Sequence, residues 1–204
     1  MSNSGQEIEA KFYLLHLDKM TTRLHELKAR LIQPRVLETN LRFDLPDASL
    51  RSRGRVLRLR RDAKARLTYK GASENKNGVM DRQEIEFIVE DFEKARQLLE
   101  ALGYQKSMYY EKYRTTYELE HVFIMLDELP YGNFVEVEGE TVEQIQTVSA
   151  RLNLDWNAAI GTSYTSLFEN IRKALQLSFQ ELSFENFEGI KVISDHLNVQ
   201  AADG

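Results

Sequence analysis

Charged and apolar residues alternate at every second position in segment after segment of this 204-residue chain. A two-residue period commits such segments to extended strands with one ionic face and one apolar face. In Glu7-Ile8-Glu9-Ala10-Lys11, followed by Phe12, Glu7, Glu9 and Lys11 share one face while Ile8, Ala10 and Phe12 share the other. VLRLRRD repeats the period with Arg58 and Arg60 opposite Leu57 and Leu59, and RLTYKG puts Arg66, Thr68 and Lys70 together opposite Leu67 and Tyr69. DRQEIEFIV alternates Arg82, Glu84 and Glu86 with Gln83, Ile85 and Phe87. Farther on, EKYRTTYEL sets Lys112 and Arg114 against Tyr113, HVFIMLDEL carries Asp127, and FVEVEGE aligns Glu136 and Glu138 against Val135 and Val137.

Any one of these segments fits an ordinary half-exposed strand with a solvated face. The set says more, because its apolar faces all need cover. Amphipathic helices are expected at 18–32 (Asp18 as N-cap, leucines at 24, 27 and 31, Pro34 as the stop), 91–102 (Asp91 as cap, Gly103 at the end), 141–152 (Thr141 with Gln144) and 165–177. With helices outside, a sheet that curls and closes turns its ionic face into a lumen and removes its exposed edges. The expected fold is therefore α+β: an antiparallel β-barrel tunnel with a charged lumen and helices packed on the outside. Residues 1–177 are expected to form that domain and 178–204 a helical or partly ordered tail. Gly71–Gly78 reads as a flexible polar loop, and Pro130-Tyr131-Gly132-Asn133 as a hairpin turn.

Composition narrows the partners. A net charge of −5 provides no global basic field for nucleic acid or an anionic membrane, so an anion site must be local. The absence of cysteine excludes disulfides, thiolate zinc sites and a cysteine nucleophile. The N-terminus lacks the basic and apolar segments of a signal peptide, and no apolar run approaches the roughly 18 to 20 residues of a membrane span, so a cytoplasmic location is expected. A homodimer stays open.

A lumen lined by both signs concentrates bases for a polyanion and acids for a hard cation. Arginine and lysine bind phosphoryl oxygens through charge-assisted hydrogen bonds, and clustered carboxylates suit magnesium or manganese. Together they specify a metal-bound polyphosphate.

With those residues in order, the sequence resembles the CYTH family, the triphosphate tunnel metalloenzymes, which includes class IV adenylyl cyclases, thiamine triphosphatases and inorganic triphosphatases. The hallmark is E-x-E-x-K at Glu7, Glu9 and Lys11, followed by LRLR, TYKG, RQEIE, KYR and LDELPYGNFVEVEG, across about residues 7 to 170. The resemblance implies an eight-stranded antiparallel tunnel. It implies a triphosphate held by Lys11, Arg58, Arg60, Lys70, Arg82, Lys112 and Arg114, with Mg2+ or Mn2+ held by Glu7, Glu9, Glu136 and Glu138, joined by Asp127. Glu7, Glu9, Lys11, Glu84 and Glu86 are the expected catalytic set, with Glu84 and Glu86 open to a second metal, to orienting arginines or to positioning water.

The expected activity is metal-dependent hydrolysis of inorganic triphosphate or a small organic triphosphate such as thiamine triphosphate. The alternatives are a class IV adenylyl cyclase converting ATP to cyclic AMP and pyrophosphate, and a non-catalytic polyphosphate or nucleotide binder. His16, His25, His121 and His196 lack metal-ligand spacing, and Tyr109, Tyr110, Tyr113 and Tyr117 read as sheet packing. Lys76, Lys173 and Lys191 are candidates for an entrance, and none matches the C-terminal lysine that closes over substrate in many family members.

Overall fold

The computed structural model describes residues 6–72, 74–76 and 79–204, and in it the alternating segments pair edge to edge. Nine strands form: β1 (Gln6–Leu14), β2 (Arg30–Asp44), β3 (Val56–Arg61), β4 (Ala65–Lys70), β5 (Glu74–Lys76), β6 (Val79–Val89), β7 (Gln105–Leu119), β8 (Val122–Leu129) and β9 (Gly132–Glu138). The antiparallel order β1-β9-β8-β7-β2-β3-β4-β6 returns on itself because β6 also pairs with β1. Eight strands thus close a ring, the expected number. Short β5 hangs on β6 as a hairpin partner, a strand in the segment expected to be loop.

The helices are α1 (Leu17–Glu26), α2 (Ser49–Ser52), α3 (Phe92–Ala101), α4 (Val142–Arg151), α5 (Tyr164–Leu175) and α6 (Ser194–Leu197). Side-chain caps set three starts: Asp91 Oδ1 accepts from the Lys94 N–H at 3.0 Å, Thr141 Oγ1 from Gln144 at 3.2 Å and Ser163 Oγ from Ser166 at 3.2 Å. The first helix departs from expectation. It ends at Glu26 rather than near Ile32, Asp18 lies in its first turn and His16 flanks it. The stop is a Schellman turn with Lys28 at φ +58° where a glycine would be usual: the Lys28 N–H donates to His25 O and the Ala29 N–H to Leu24 O. Pro34 falls inside β2, at a register irregularity between Gln33 and Val36. No helix among the described residues is long and apolar enough to cross a membrane.

The apolar faces are buried outside the ring. Phe12, Leu14, Val135, Val137, Ile124, Leu126 and Tyr117 pack against Met20 and Leu24 of α1, Ile145 and Val148 of α4 and the α4 C-cap residue Leu152. Phe43 and Leu59 pack against Leu99 of α3. A third cluster instead closes one end of the ring, joining Tyr13, Tyr110 and Phe134 of the inner face and Tyr131 to Tyr164, Phe168 and Ile171 of α5 and to Leu182, Phe187 and Leu197 beyond it. Residues 178–204 strap this end of the ring: Leu182 bridges to Tyr110, Ala201 bridges to Tyr13, and the Asp203 carboxylate accepts the Leu15 and His16 N–H groups, each at 2.8 Å.

Candidate active site

Strand register decides which side chains meet inside the ring. Glu7 lies opposite Arg82 across β1–β6, Lys11 opposite Glu136 and Glu9 opposite Glu138 across β1–β9, Lys70 opposite Glu84 across β4–β6, and Arg114 opposite Asp127 across β7–β8. Alternation along these paired strands sets Glu9, Lys11, Lys70, Arg82, Glu84, Arg114, Asp127, Glu136 and Glu138 on one face of the closed sheet. The side chains of Glu7 and Lys76 lie outside the described residues. Glu9, Lys11, Lys70, Lys112, Asp127 and Glu136 are all buried.

Asp127 is the most enclosed charge, with no exposed surface. Its oxygens accept from Lys112 Nζ at 2.8 Å, Arg114 Nε at 2.6 Å, Arg114 Nη2 at 2.6 Å and the Tyr164 hydroxyl at 2.8 Å. Arg114 also donates to Glu136. Glu136 pairs with Lys11 Nζ at 3.2 Å, and that ammonium lies 4.3 Å from the centre of the Tyr164 ring. Burial alone would lift the Glu136 carboxyl, but Lys11, Arg114, Lys112 and Lys70 outweigh it and hold it well below the usual carboxylate range.

The arginines of β3 form a second group. Arg60 Nη1 donates to Glu38 Oε1 at 3.3 Å and Arg60 Nη2 to Glu86 Oε1 at 3.4 Å, while Arg58 Nη2 stands 3.7 Å from Glu86 Oε2. Thr68 donates its hydroxyl to Glu86 Oε2 at 2.8 Å, fixing a carboxylate that orients both arginines. Lys70 Nζ stands 3.4 Å from Glu84, and Arg82 Nη2 stands 3.9 Å from Glu9.

Three inner-face side chains on β2 were not singled out from the sequence: Glu38, Asn40 and Arg42. Glu38, Asn40 and Arg42 alternate with Thr39, Leu41 and Phe43, the period used elsewhere to find ionic faces, so the signal was present. Tyr110, expected to be sheet packing, faces inward, and its hydroxyl accepts from Arg58 Nη1 at 3.5 Å. Burial pushes the Tyr110 phenol up, but Arg58, Lys112 and Arg42 outweigh it and hold it below its ordinary value. Burial likewise raises the Glu38 carboxyl, and Lys112, Arg114, Arg60 and Arg58 reverse this, lowering it to about 2. Tyr164 carried no local signal, since it reaches Asp127 from the first turn of α5.

The inner face therefore offers guanidinium and ammonium groups to an anion and oxygen-only carboxylates to a hard cation. Among the described residues no three acidic or histidine side chains already converge on one point. The CYTH domain family profile matches residues 5–167. The chain belongs to the CYTH family. A protein of Methanocaldococcus jannaschii, described provisionally as an adenylate cyclase, is 28% identical over 172 residues, covering 79% of this chain and 97% of its own. A Vibrio parahaemolyticus structure with the same provisional description aligns at TM-score 0.73 and 19% identity, covering 80% of this chain and 97% of its own. A Hippeastrum protein described as an adenylyl cyclase with dominant triphosphatase activity aligns at TM-score 0.63 and 20% identity, covering 80% of this chain and 95% of its own. The eight-stranded ring with helices outside is the CYTH tunnel fold.

Proposed function

We propose that this CYTH protein is a divalent-metal-dependent triphosphatase acting on inorganic triphosphate or a small organic triphosphate such as thiamine triphosphate. The observation that carries this reading is the enclosed run of cations, Lys11, Arg58, Arg60, Lys70, Arg82, Lys112 and Arg114, facing carboxylates on the same inner wall.

In this reading Lys11, Lys70, Arg82, Lys112 and Arg114 grip the polyphosphate oxygens, and Arg58 and Arg60 steady the terminal group. Asp127 belongs to positioning rather than to metal binding: its oxygens already accept four hydrogen bonds, which aim Lys112, Arg114 and Tyr164. Glu86 orients Arg58 and Arg60, and Glu84 orients Lys70. Glu7, Glu9, Glu136 and Glu138 suit Mg2+ or Mn2+ by donor chemistry, being hard oxygen ligands on the adjoining strands β1 and β9. When bound, such an ion neutralises charge on the phosphoryl oxygens. No side-chain nucleophile is needed.

The second reading is an adenylyl cyclase, favoured by the description of the Methanocaldococcus relative. Hydrolysis is preferred because it asks only for a triphosphate and water, and because the same fold serves a dominant triphosphatase activity in the Hippeastrum protein. Incubation with Mg2+ or Mn2+ and triphosphate, thiamine triphosphate or ATP, with products separated by ion exchange, tests it. Phosphate release supports the proposal, and cyclic AMP as the main product overturns it.

A further inference from the structure

Asn40 stands on the inner face of β2, opposite Arg60 on β3 and Tyr110 on β7. It is completely buried, yet neither its Oδ1 nor its Nδ2 has a hydrogen-bond partner. Glu38 Oε2, Arg58 Nε and Arg60 Nε, on the same two strands, are likewise buried and without hydrogen bonds. Lys112 Nζ stands 3.6 Å from Glu38 Oε2 and Asp62 Oδ2 stands 3.6 Å from Arg60 Nε, both ion pairs beyond hydrogen-bond reach. Among the described residues the other atoms of this kind, Ser149 Oγ and Arg172 Nε, belong to α4 and α5 outside the sheet. Buried polar groups left unpaired cost free energy. These atoms have no surface open to water as the side chains stand, so a bound molecule supplies their partners only where the Asn40, Arg58 and Arg60 side chains part to admit it.

The mixture of donors and acceptors identifies that molecule. An ionised phosphoryl group only accepts, so it can satisfy Asn40 Nδ2, Arg58 Nε and Arg60 Nε but not Glu38 Oε2 or Asn40 Oδ1. Those two require an O–H or N–H, and water brings two O–H donors together with a lone pair for attack. We infer that Glu38 and Asn40 hold the attacking water of the hydrolysis beside a terminal phosphoryl group gripped by Arg58 and Arg60, an inference that rests on the triphosphatase reading. The water oxygen bonds to the terminal phosphorus, and the bridging P–O bond breaks with its electron pair leaving on the diphosphate. Both water protons finish on the released phosphate. Glu38 accepts a hydrogen bond from the water without taking its proton, because the surrounding cations keep its carboxyl ionised.

Two variants test the assignment, Glu38→Gln and Asn40→Ala, assayed with triphosphate and Mg2+. Each is expected to lower kcat on the order of 100-fold, the penalty of a misplaced nucleophile. KM, and the affinity for imidotriphosphate measured by calorimetry, are expected to stay within about threefold, since ground-state phosphate contacts persist. Asn40→Ala loses no formed hydrogen bond, so its melting temperature should not fall, which keeps the test valid if Glu38→Gln folds poorly. In water–methanol mixtures the Asn40→Ala variant should release several times more methyl phosphate relative to phosphate than the parent protein does, because the site no longer selects its nucleophile. Undiminished kcat, or a rise in KM alone, overturns the assignment while leaving the triphosphatase reading intact. A parent protein that hydrolyses no triphosphate overturns that reading itself.

Discussion

Replacing Asp127 by asparagine should expose how the inner wall is held. The carboxylate has no exposed surface and accepts three hydrogen bonds from cations and one from Tyr164. Asparagine keeps one acceptor oxygen and turns an N–H2 group toward Lys112 or Arg114, leaving two positive side chains short of a counterion. Removing one partner of a buried ion pair costs about 3–5 kcal/mol. Arg114 retains its contact to Glu136, and Lys112 keeps Glu38 at 3.6 Å, so the lower end applies. A loss of about 3 kcal/mol corresponds to a fall in Tm of about 6–12 °C for a chain of this size.

Urea unfolding followed by circular dichroism measures this directly. A second measurement separates the electrostatic cause from simple loss of packing. Added tripolyphosphate without divalent ion supplies the missing negative charge, so it should stabilise Asp127→Asn more than the parent and narrow the gap by about 1 kcal/mol or more through its tighter binding to the folded variant. A destabilisation below about 1 kcal/mol, or a gap untouched by the polyanion, would refute the reasoning.

The folded pKa of Glu38 lies near 2 against an ordinary 4.5, a depressed value, so its stabilisation is complete above about pH 4.5 and is lost as the pH falls toward 2. The loss is on the order of 3 kcal/mol; Glu38→Gln should flatten the acid limb of stability against pH, and an unchanged limb counts against the assignment. Arg58→Ala should weaken binding of imidotriphosphate about tenfold or more, since hydrogen bonds to charged groups are worth about 1.5–3 kcal/mol; calorimetry giving the parent's affinity would remove Arg58 from the substrate site. Glu9→Gln should abolish turnover with Mg2+ or Mn2+ while the far-ultraviolet spectrum stays that of the parent, and residual activity above about a tenth would remove Glu9 from the metal set.

The two-residue period was legible wherever charge marked the inner face, as at Glu9 and Lys11 or Arg58 and Arg60, because register preserves the face. On β2 the same period runs through Glu38, Asn40 and Arg42, but it starts just after Pro34 and an irregular register, where alternation gives weaker guidance. The end of α1 was hidden for a different reason: Lys28 adopts the left-handed conformation that glycine usually signals, and the leucines at 27 and 31 extend a helical pattern past the turn. Closure of the ring depends on β6, whose residues 80–83 pair with β1 and whose residues 84–89 pair with β4. One uninterrupted strand serving two neighbours along its length has no local signature. Tyr164 was beyond sequence reasoning because its partner Asp127 lies 37 positions away.

The two classes of ion pair inside the ring bear on how a charged substrate could enter at tolerable cost. Asp127 and Glu38 are almost wholly enclosed, and Lys112 reaches both. Splitting them would strand charge in a poorly solvated place, so they act as fixed counterions. Lys11 with Glu136 at 3.2 Å, Lys70 with Glu84 at 3.4 Å, Arg58 with Glu86 at 3.7 Å and Arg82 with Glu9 at 3.9 Å are longer contacts. In the proposed reaction a metal–triphosphate complex carries both signs at once. Each of these longer pairs can then open while its base turns to a phosphoryl oxygen and acids such as Glu9 and Glu136 turn to the cation, so internal contacts are exchanged for ligand contacts without burying a new uncompensated charge. Polyanion or metal alone completes only half of that exchange, which makes their binding cooperative. Calorimetry should therefore show Mn2+ affinity rising in the presence of imidotriphosphate by more than the analogue's own chelation of the metal explains, and equality of the two would mean that the inner acids and bases do not trade partners.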